Sequence, residues 1–493
     1  MEEMLNYGDV KHEAVFRNFE KISMIPRGSG NEKEISDFLL KFGRDLGYEA
    51  CQDEVLNVII KKPASADYEH LDPVILQGHM DMVCEKNKGT EHDFLKDPLK
   101  LKIEGNILSA EGTTLGGDDG IAVAYCMSIL EDKTLKHPPL EIFITTEEET
   151  GLVGAMKVDG SRFEGKRLIN IDGEEEGIFL VSCAGGVRTK ITLPLEKKKE
   201  MAEETIFELS VAGLRGGHSG ADIHKGRGNA NKLMGRILYE IKSTLGFNLY
   251  SIEGGAKMNA IPRECTAIIG VDPERVEALK RLLDSIMQTI YSEYKKTDPD
   301  FRISLSEIDK LPKDRKLPWR KSERNKAIHL LMATPNGVNT MSQDIEGLVE
   351  SSNNLGVITY KGDKVLFENS TRSSVASKKE ELSKKLEELA EFCDCEIKHT
   401  SDYPGWEYKE VSPLRDHMAR VYEDKFGKAP QIEAIHAGLE CGLFLDVISP
   451  DLDMVSMGPN MYDVHTPDER IEIDSADRLY GFLVEVLEKM KEM

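Results

Sequence analysis

Apolar and polar positions along the first third of the chain follow two alternating periods. Ile35, Phe38, Leu39 and Phe42 recur at a spacing of three and four, which predicts an amphipathic helix, and Asn31 with Glu34 reads as its capping box. Short apolar runs stand at 74–76, 142–144 and 168–171, the last interrupted by Asn170, with a helical pattern over 121–130. Brief apolar strands alternating with helices predict an α/β domain whose mostly parallel mixed sheet carries helices on both faces.

From about Gly186 the texture changes. The segments 189–193 and 206–211 alternate apolar with polar residues, as half-exposed antiparallel strands do. Helical patterns follow at 230–241 and 275–294, with a strand pattern at 265–271 between them. A similar succession runs from 301 to 392, with a helix at 326–333, strands at 357–360 and 365–368, then another helix. These predict an inserted α+β domain over residues 186–399, built from two ββαββα-like halves. The α/β texture then returns, with helices near 414–426 and 474–491. Residues 1–185 and 400–493 are therefore expected to form one domain interrupted by the insert.

A chain of 493 residues exceeds what one hydrophobic core usually supports, in line with two domains. Its 40% hydrophobic and 31% charged residues read as an ordinary globular composition, and no apolar run approaches the ~20 residues that span a bilayer. A net charge of −24 argues against nucleic acid or an anionic membrane as partner. The acidic, amphipathic start MEEMLNYGDVKHEAVFRNFE lacks the basic and apolar regions of a signal peptide. Eight scattered cysteines, mostly beside apolar residues, are expected to be buried reduced thiols of a cytoplasmic protein.

Chemistry-bearing residues gather just after the strand patterns. In the stretch Gln77-Gly78-His79-Met80-Asp81, His79 and Asp81 point to the same side of an extended segment. Asp81 is placed to fix the tautomer of His79. Gly116-Gly117-Asp118-Asp119-Gly120 precedes a helix and puts carboxylates near its N-terminus. Glu147, Glu148 and Glu149 follow the run at 142–144, and three adjacent carboxylates repel one another unless a cation or proton lies among them. Asp172 ends the run at 168–171, and His465 stands in a late turn-rich loop. Two imidazoles and three carboxylates at the carboxyl ends of sheet strands suit a pair of zinc-class ions sharing one carboxylate. A further glutamate beside them can take a proton from water.

In this order GHMD, GGDDG, TEEETG, NIDGE and VHTPDE resemble the motifs of the co-catalytic zinc peptidases, a group of aminoacylases, glutamate carboxypeptidases and dipeptidases. With SCAGG, GGHSG, NAIPRE and HAGLECG added, the chain resembles the aminoacyl-histidine dipeptidase branch over essentially its whole length. The resemblance implies that Asp118 bridges two divalent ions, zinc foremost, with cobalt or manganese as alternatives. His79 and Asp172 would complete one site, Glu149 and His465 the other. Glu148 would be the general base, and Asp81 would orient His79. The insert would be the family's lid, with His218 donating to the oxyanion and Asn259, Arg372 and Gly438 contacting substrate; Arg263 rivals Arg372. The implied reaction is hydrolysis of dipeptides, of the Xaa-His type or broader. An N-acyl-amino-acid deacylase, a tripeptidase or a non-catalytic peptide- or metal-binding protein are the alternatives. Some family members are homodimers that exchange the lid histidine; this long lid raises the expectation that His218 serves its own chain.

Overall fold

The apolar runs become the strands Val74–His79, Leu140–Thr145 and Arg167–Asn170 of a computed structural model that describes residues 5–200 and 203–493. The first four residues of the acidic N-terminal stretch lie outside the described residues. All positions of the first two strands are buried, as strands covered on both faces require. The three run parallel, with Asp453–Ser456 as a fourth parallel neighbour. Antiparallel strands, among them Glu49–Gln52, Val58–Lys62 and Ile178–Cys183, extend this core to an eight-stranded mixed sheet. The helix Gly117–Glu131 is buried from Gly117 through Leu130, which explains why its sequence beyond the first turn is apolar nearly all round. The expected α/β class holds.

The capping box does not form. Glu32, not Asn31, occupies the cap of the helix Lys33–Asp45, and its side chain makes no capping hydrogen bond. Glu32 instead accepts hydrogen bonds from the amides of Gly30 and Glu147 (2.9 and 3.2 Å), so a loop contact has taken the carboxylate nearest the cap.

The chain divides into two compact units. The outer one comprises Met1–Ser182, Tyr408–Ala434 and Leu439–Met493; the inserted one comprises Cys183–Glu407 and Ile435–Gly438. The insert thus extends beyond the expected 186–399. Strand Glu396–Tyr403 pairs with Gly185–Pro194, and Cys183 and Trp406 exchange backbone hydrogen bonds, which draws both junctions inward. Ala184 donates its amide to Ile435 and Ala437, which adds the four-residue return.

The inserted unit holds a nine-stranded antiparallel sheet. The first strand of each succession lies beside the other's strands: Gly185–Pro194 pairs with Lys364–Ser373, and Arg302–Glu307 with Thr205–Ala212. Buried cross-strand pairs Ile191–Phe367 and Leu193–Val365 favour this register. Cys84 is exposed, against the expectation of general burial. Among the described residues no helix is long and apolar enough to cross a membrane.

Candidate metal centre

Parallel strands end together, and the side chains that follow them share one end of the sheet. His79 is the last residue of its strand; Glu148 and Glu149 follow Leu140–Thr145, and Asp172 follows Arg167–Asn170. His79 Nε2 lies 3.0 Å from Asp118 Oδ1 and 3.5 Å from Asp172 Oδ1. His465 Nε2 lies 3.1 Å from Asp118 Oδ2 and 3.0 Å from Glu149 Oε2. Three groups have ligand atoms within 4.8 Å of one another: His79, Asp118 and Asp172; Asp118, Glu149 and His465; His79, Glu148 and Glu149. Each oxygen of Asp118 therefore faces a different imidazole. Glu149 Oε1 is buried without a hydrogen-bond partner among the described residues.

Asp81 joins two parts of this end. Its backbone carbonyl and Oδ1 lie 3.2 and 3.4 Å from His79 Nδ1, which leaves Nε2 toward the carboxylates. Its carboxylate also accepts the amides of Glu148 (3.1 Å) and Glu149 (3.3 Å) and the Ser29 hydroxyl (2.8 Å). Glu147 and His465 hold positive φ angles of 49° and 64°. That backbone strain, about 1–3 kcal/mol each, is of the kind that clusters at functional sites.

Crowded carboxylates away from water set the electrostatics. Burial raises Glu148 well above the carboxylate range, against the pull of His79 and with the repulsion of Asp172, Glu440 and Glu149 added. Burial likewise pushes Asp172 up to about 8. Asp118 moves the other way: hydrogen bonds from His465 and His79 overcome its burial and hold it well below the usual range. Asp118 and Glu149 lift His465 to about 11. A set that needs this much positive charge fits divalent cations: two His/Asp/Glu groups of zinc-type donors, one shared carboxylate and an orphaned buried oxygen.

Four residues that sequence reasoning gave no role support the strand ends. Arg27, fully buried, donates to the carbonyls of Met80, Asp81 and Gly116. An ideal Cβ on Gly116, whose φ is +65°, would lie 2.6 Å from its guanidinium, and one on Gly120 2.5 Å. The glycines of GGDDG thus make room for a buried arginine. Glu440, also fully buried, accepts from Gln77 and from Thr145 Oγ1 (2.7 Å). Ser29 braces Asp81, and Glu469 accepts from the turn before Asp118. Glu440 and Glu469 stood inside quoted motifs, but nothing local marked them.

The remaining expected residues lie in the inserted unit. His218 pairs with Ala260 in a short ladder, and Ser219 donates to the Asn259 carbonyl (2.8 Å). His218 Nδ1 accepts the Ala221 amide at 3.0 Å, which assigns the proton to Nε2. Arg372 donates to the Tyr403 hydroxyl (3.2 Å), while its buried Nε has no partner among the described residues. A Cβ on Gly220 would lie 3.1 Å from the His218 ring and 3.3 Å from Arg372 Nε; one on Gly438 would meet the Tyr403 ring at 3.0 Å. His218, Arg372, Gly438 and Tyr403 are thus gathered together. Arg263 is exposed and donates to the Leu214 carbonyl.

The model of peptidase family M20/M25/M40 matches residues 75–489. The chain is 38% identical over 472 residues to the cytosol non-specific dipeptidase of Escherichia coli, covering 96% of each. It is similar to the solved aminoacylhistidine dipeptidase from Vibrio alginolyticus, with a TM-score of 0.91 and 36% identity over 98% of both chains. The aminopeptidase PepT from Bacillus cereus shares the fold at a TM-score of 0.57 and 17% identity, over 98% of this chain and 99% of that one. With the match spanning most of its length, the chain belongs to peptidase family M20/M25/M40 and is a metallopeptidase.

Proposed function

We propose that the chain is a cytoplasmic dipeptidase that uses Glu148 to activate water at a centre for two divalent ions. The observation that carries this reading is Asp118, whose two oxygens face two different imidazoles. His79 and Asp172 would hold one ion, Glu149 and His465 the other, and Asp118 both. Zinc suits the donors best; cobalt and manganese share the same ligand types. When bound, the ions supply Lewis acidity, polarising the scissile carbonyl and making a water easier to deprotonate.

The chain's own residues do the rest. Glu148 takes the proton from the attacking water and returns it to the departing amine. Asp81 keeps His79 in one tautomer and, through two amides, fixes the turn bearing Glu148 and Glu149. His218, with its proton on Nε2, is a donor for the developing oxyanion. Arg372 offers a guanidinium to the substrate carboxylate, and Asn259 and Gly438 offer polar backbone or side-chain contact.

The dipeptide assignment is supported by the names of the two relatives, one non-specific and one acting on aminoacyl-histidine. A homodimer is compatible with this reading. The test is a kinetic screen of Xaa-His and other dipeptides against N-blocked dipeptides and tripeptides, with zinc, cobalt and manganese each loaded. Turnover confined to blocked or longer peptides would overturn the dipeptidase reading.

A further inference from the structure

Glu469 lies four residues beyond His465 and is almost fully buried. Its Oε2 accepts the amides of Leu115 and Gly116 (2.8 and 3.0 Å), and its Oε1 those of Gly117 and Asp118 (2.7 and 3.3 Å). One carboxylate thus satisfies four successive amides of the turn that opens the helix Gly117–Glu131. The arrangement suits an anion, because four amides point at it and the helix start is electropositive. A Cβ on Gly117 would stand 3.3 Å from Oε1 and 2.7 Å from Ile471, so glycine there leaves room for both side chains.

These contacts join two segments about 350 residues apart in sequence, one bearing Asp118 and the other His465. We propose that Glu469 is a positioning residue that sets Asp118 between the two ions by buckling its turn to the His465 loop. The inference rests on the two-ion reading given above. It does not require Glu469 to touch an ion or substrate.

The consequence is selective. Glu469→Gln leaves one carbonyl oxygen for four amides and turns an NH₂ group toward two of them, so the turn shifts. Asp118 serves both ions, but His465 serves only the one it shares with Glu149. That ion should suffer most. Loss of an outer partner of this kind costs about 10–100-fold in metal affinity.

The experiment is a zinc titration of full-length metal-free protein against a chromophoric chelator, with thermal unfolding of the metal-free forms alongside. Wild type, Glu469→Gln and Glu469→Asp are compared; the aspartate keeps the charge but falls short of the amides, and replaces glutamine if that variant fails to fold. The expected result is two zinc ions in all forms, with one of the two steps lowered about 10–100-fold in the variants and the other within a few-fold. Raising zinc should restore kcat. Unchanged affinities, or equal weakening of both steps with a matching fall in metal-free stability, would overturn the inference alone. A wild-type chain that takes up fewer than two zinc ions would instead overturn the two-ion reading, and the inference with it.

Discussion

Oδ2 of Asp118 stands 3.1 Å from Nε2 of His465, although 347 residues separate them in the chain. With Oδ1 of the same carboxylate 3.0 Å from His79, removing this side chain takes a ligand from both proposed sites. Asp118→Ala is expected to abolish tight binding of the second ion and weaken the first. Asp81→Ala, which acts through His79 and the Glu148 turn, should cost about 10–100-fold in affinity. Metal analysis after dialysis decides: two tightly held ions in Asp118→Ala, with loss in Asp81→Ala, would invert the assignment.

Glu148→Gln should leave the fold and metal content intact and lower kcat by at least ~10²–10⁴. Its neighbour Glu149 shares a metal group with it, so the two must be separated by content as well as rate. Near-normal turnover in fully loaded Glu148→Gln removes that residue from the mechanism.

How much of this was legible beforehand divides by physical cause. The positions of His79, Glu149 and Asp172 were legible because an apolar run announces a buried strand and these residues follow such runs, whereas Asp118 and His465 were marked by the motifs GGDDG and VHTPDE. The helix at Gly117–Glu131 was legible from the helical pattern over 121–130. Arg27, Ser29, Glu440 and Glu469 were not, since they act on backbone amides, carbonyls and hydroxyls that any sequence supplies. The capping box misled because the helix starts one residue later than its spacing implies, with Glu32 in the cap position. Strand partners in the insert were equally hidden: alternation shows which face of a strand is buried, not which neighbour it meets.

His218→Ala is expected to lower turnover about 10²–10³-fold without loss of metal, as removal of an oxyanion donor does. Co-refolding His218→Ala with Glu148→Gln chains asks which chain supplies the histidine. No recovery of activity is expected if each chain uses its own. Recovery in mixed dimers would show exchange and leave the metal assignment untouched.

Lys232 gives a pH signature unrelated to the metal centre. Its ammonium donates to the carbonyls of Leu331, Met332 and Thr334 at the end of the helix Lys321–Ala333, and burial pushes it down from 10.5 to about 8. The unfolded chain therefore holds this proton more tightly. Between pH 8 and 10.5 the unfolded state binds more protons, so this group makes stability rise with pH. Lys232→Met should lose that increment, read as a flatter dependence of the unfolding midpoint over the same window. Parallel curves for the two proteins would show that the lysine is not depressed.

The return segment Ile435–Gly438 bears on how this protein can be recombined with its relatives. A chimera that exchanged only 183–407 would keep the host's version of those four residues. The Ala184 amide, which donates to both Ile435 (3.1 Å) and Ala437 (2.9 Å), would then meet carbonyls placed by a foreign loop. Ala184 is buried, and a stranded amide there costs about 1–3 kcal/mol. The transferable cassette is therefore discontinuous, and grafts that carry both pieces should express as folded protein where single-piece grafts aggregate.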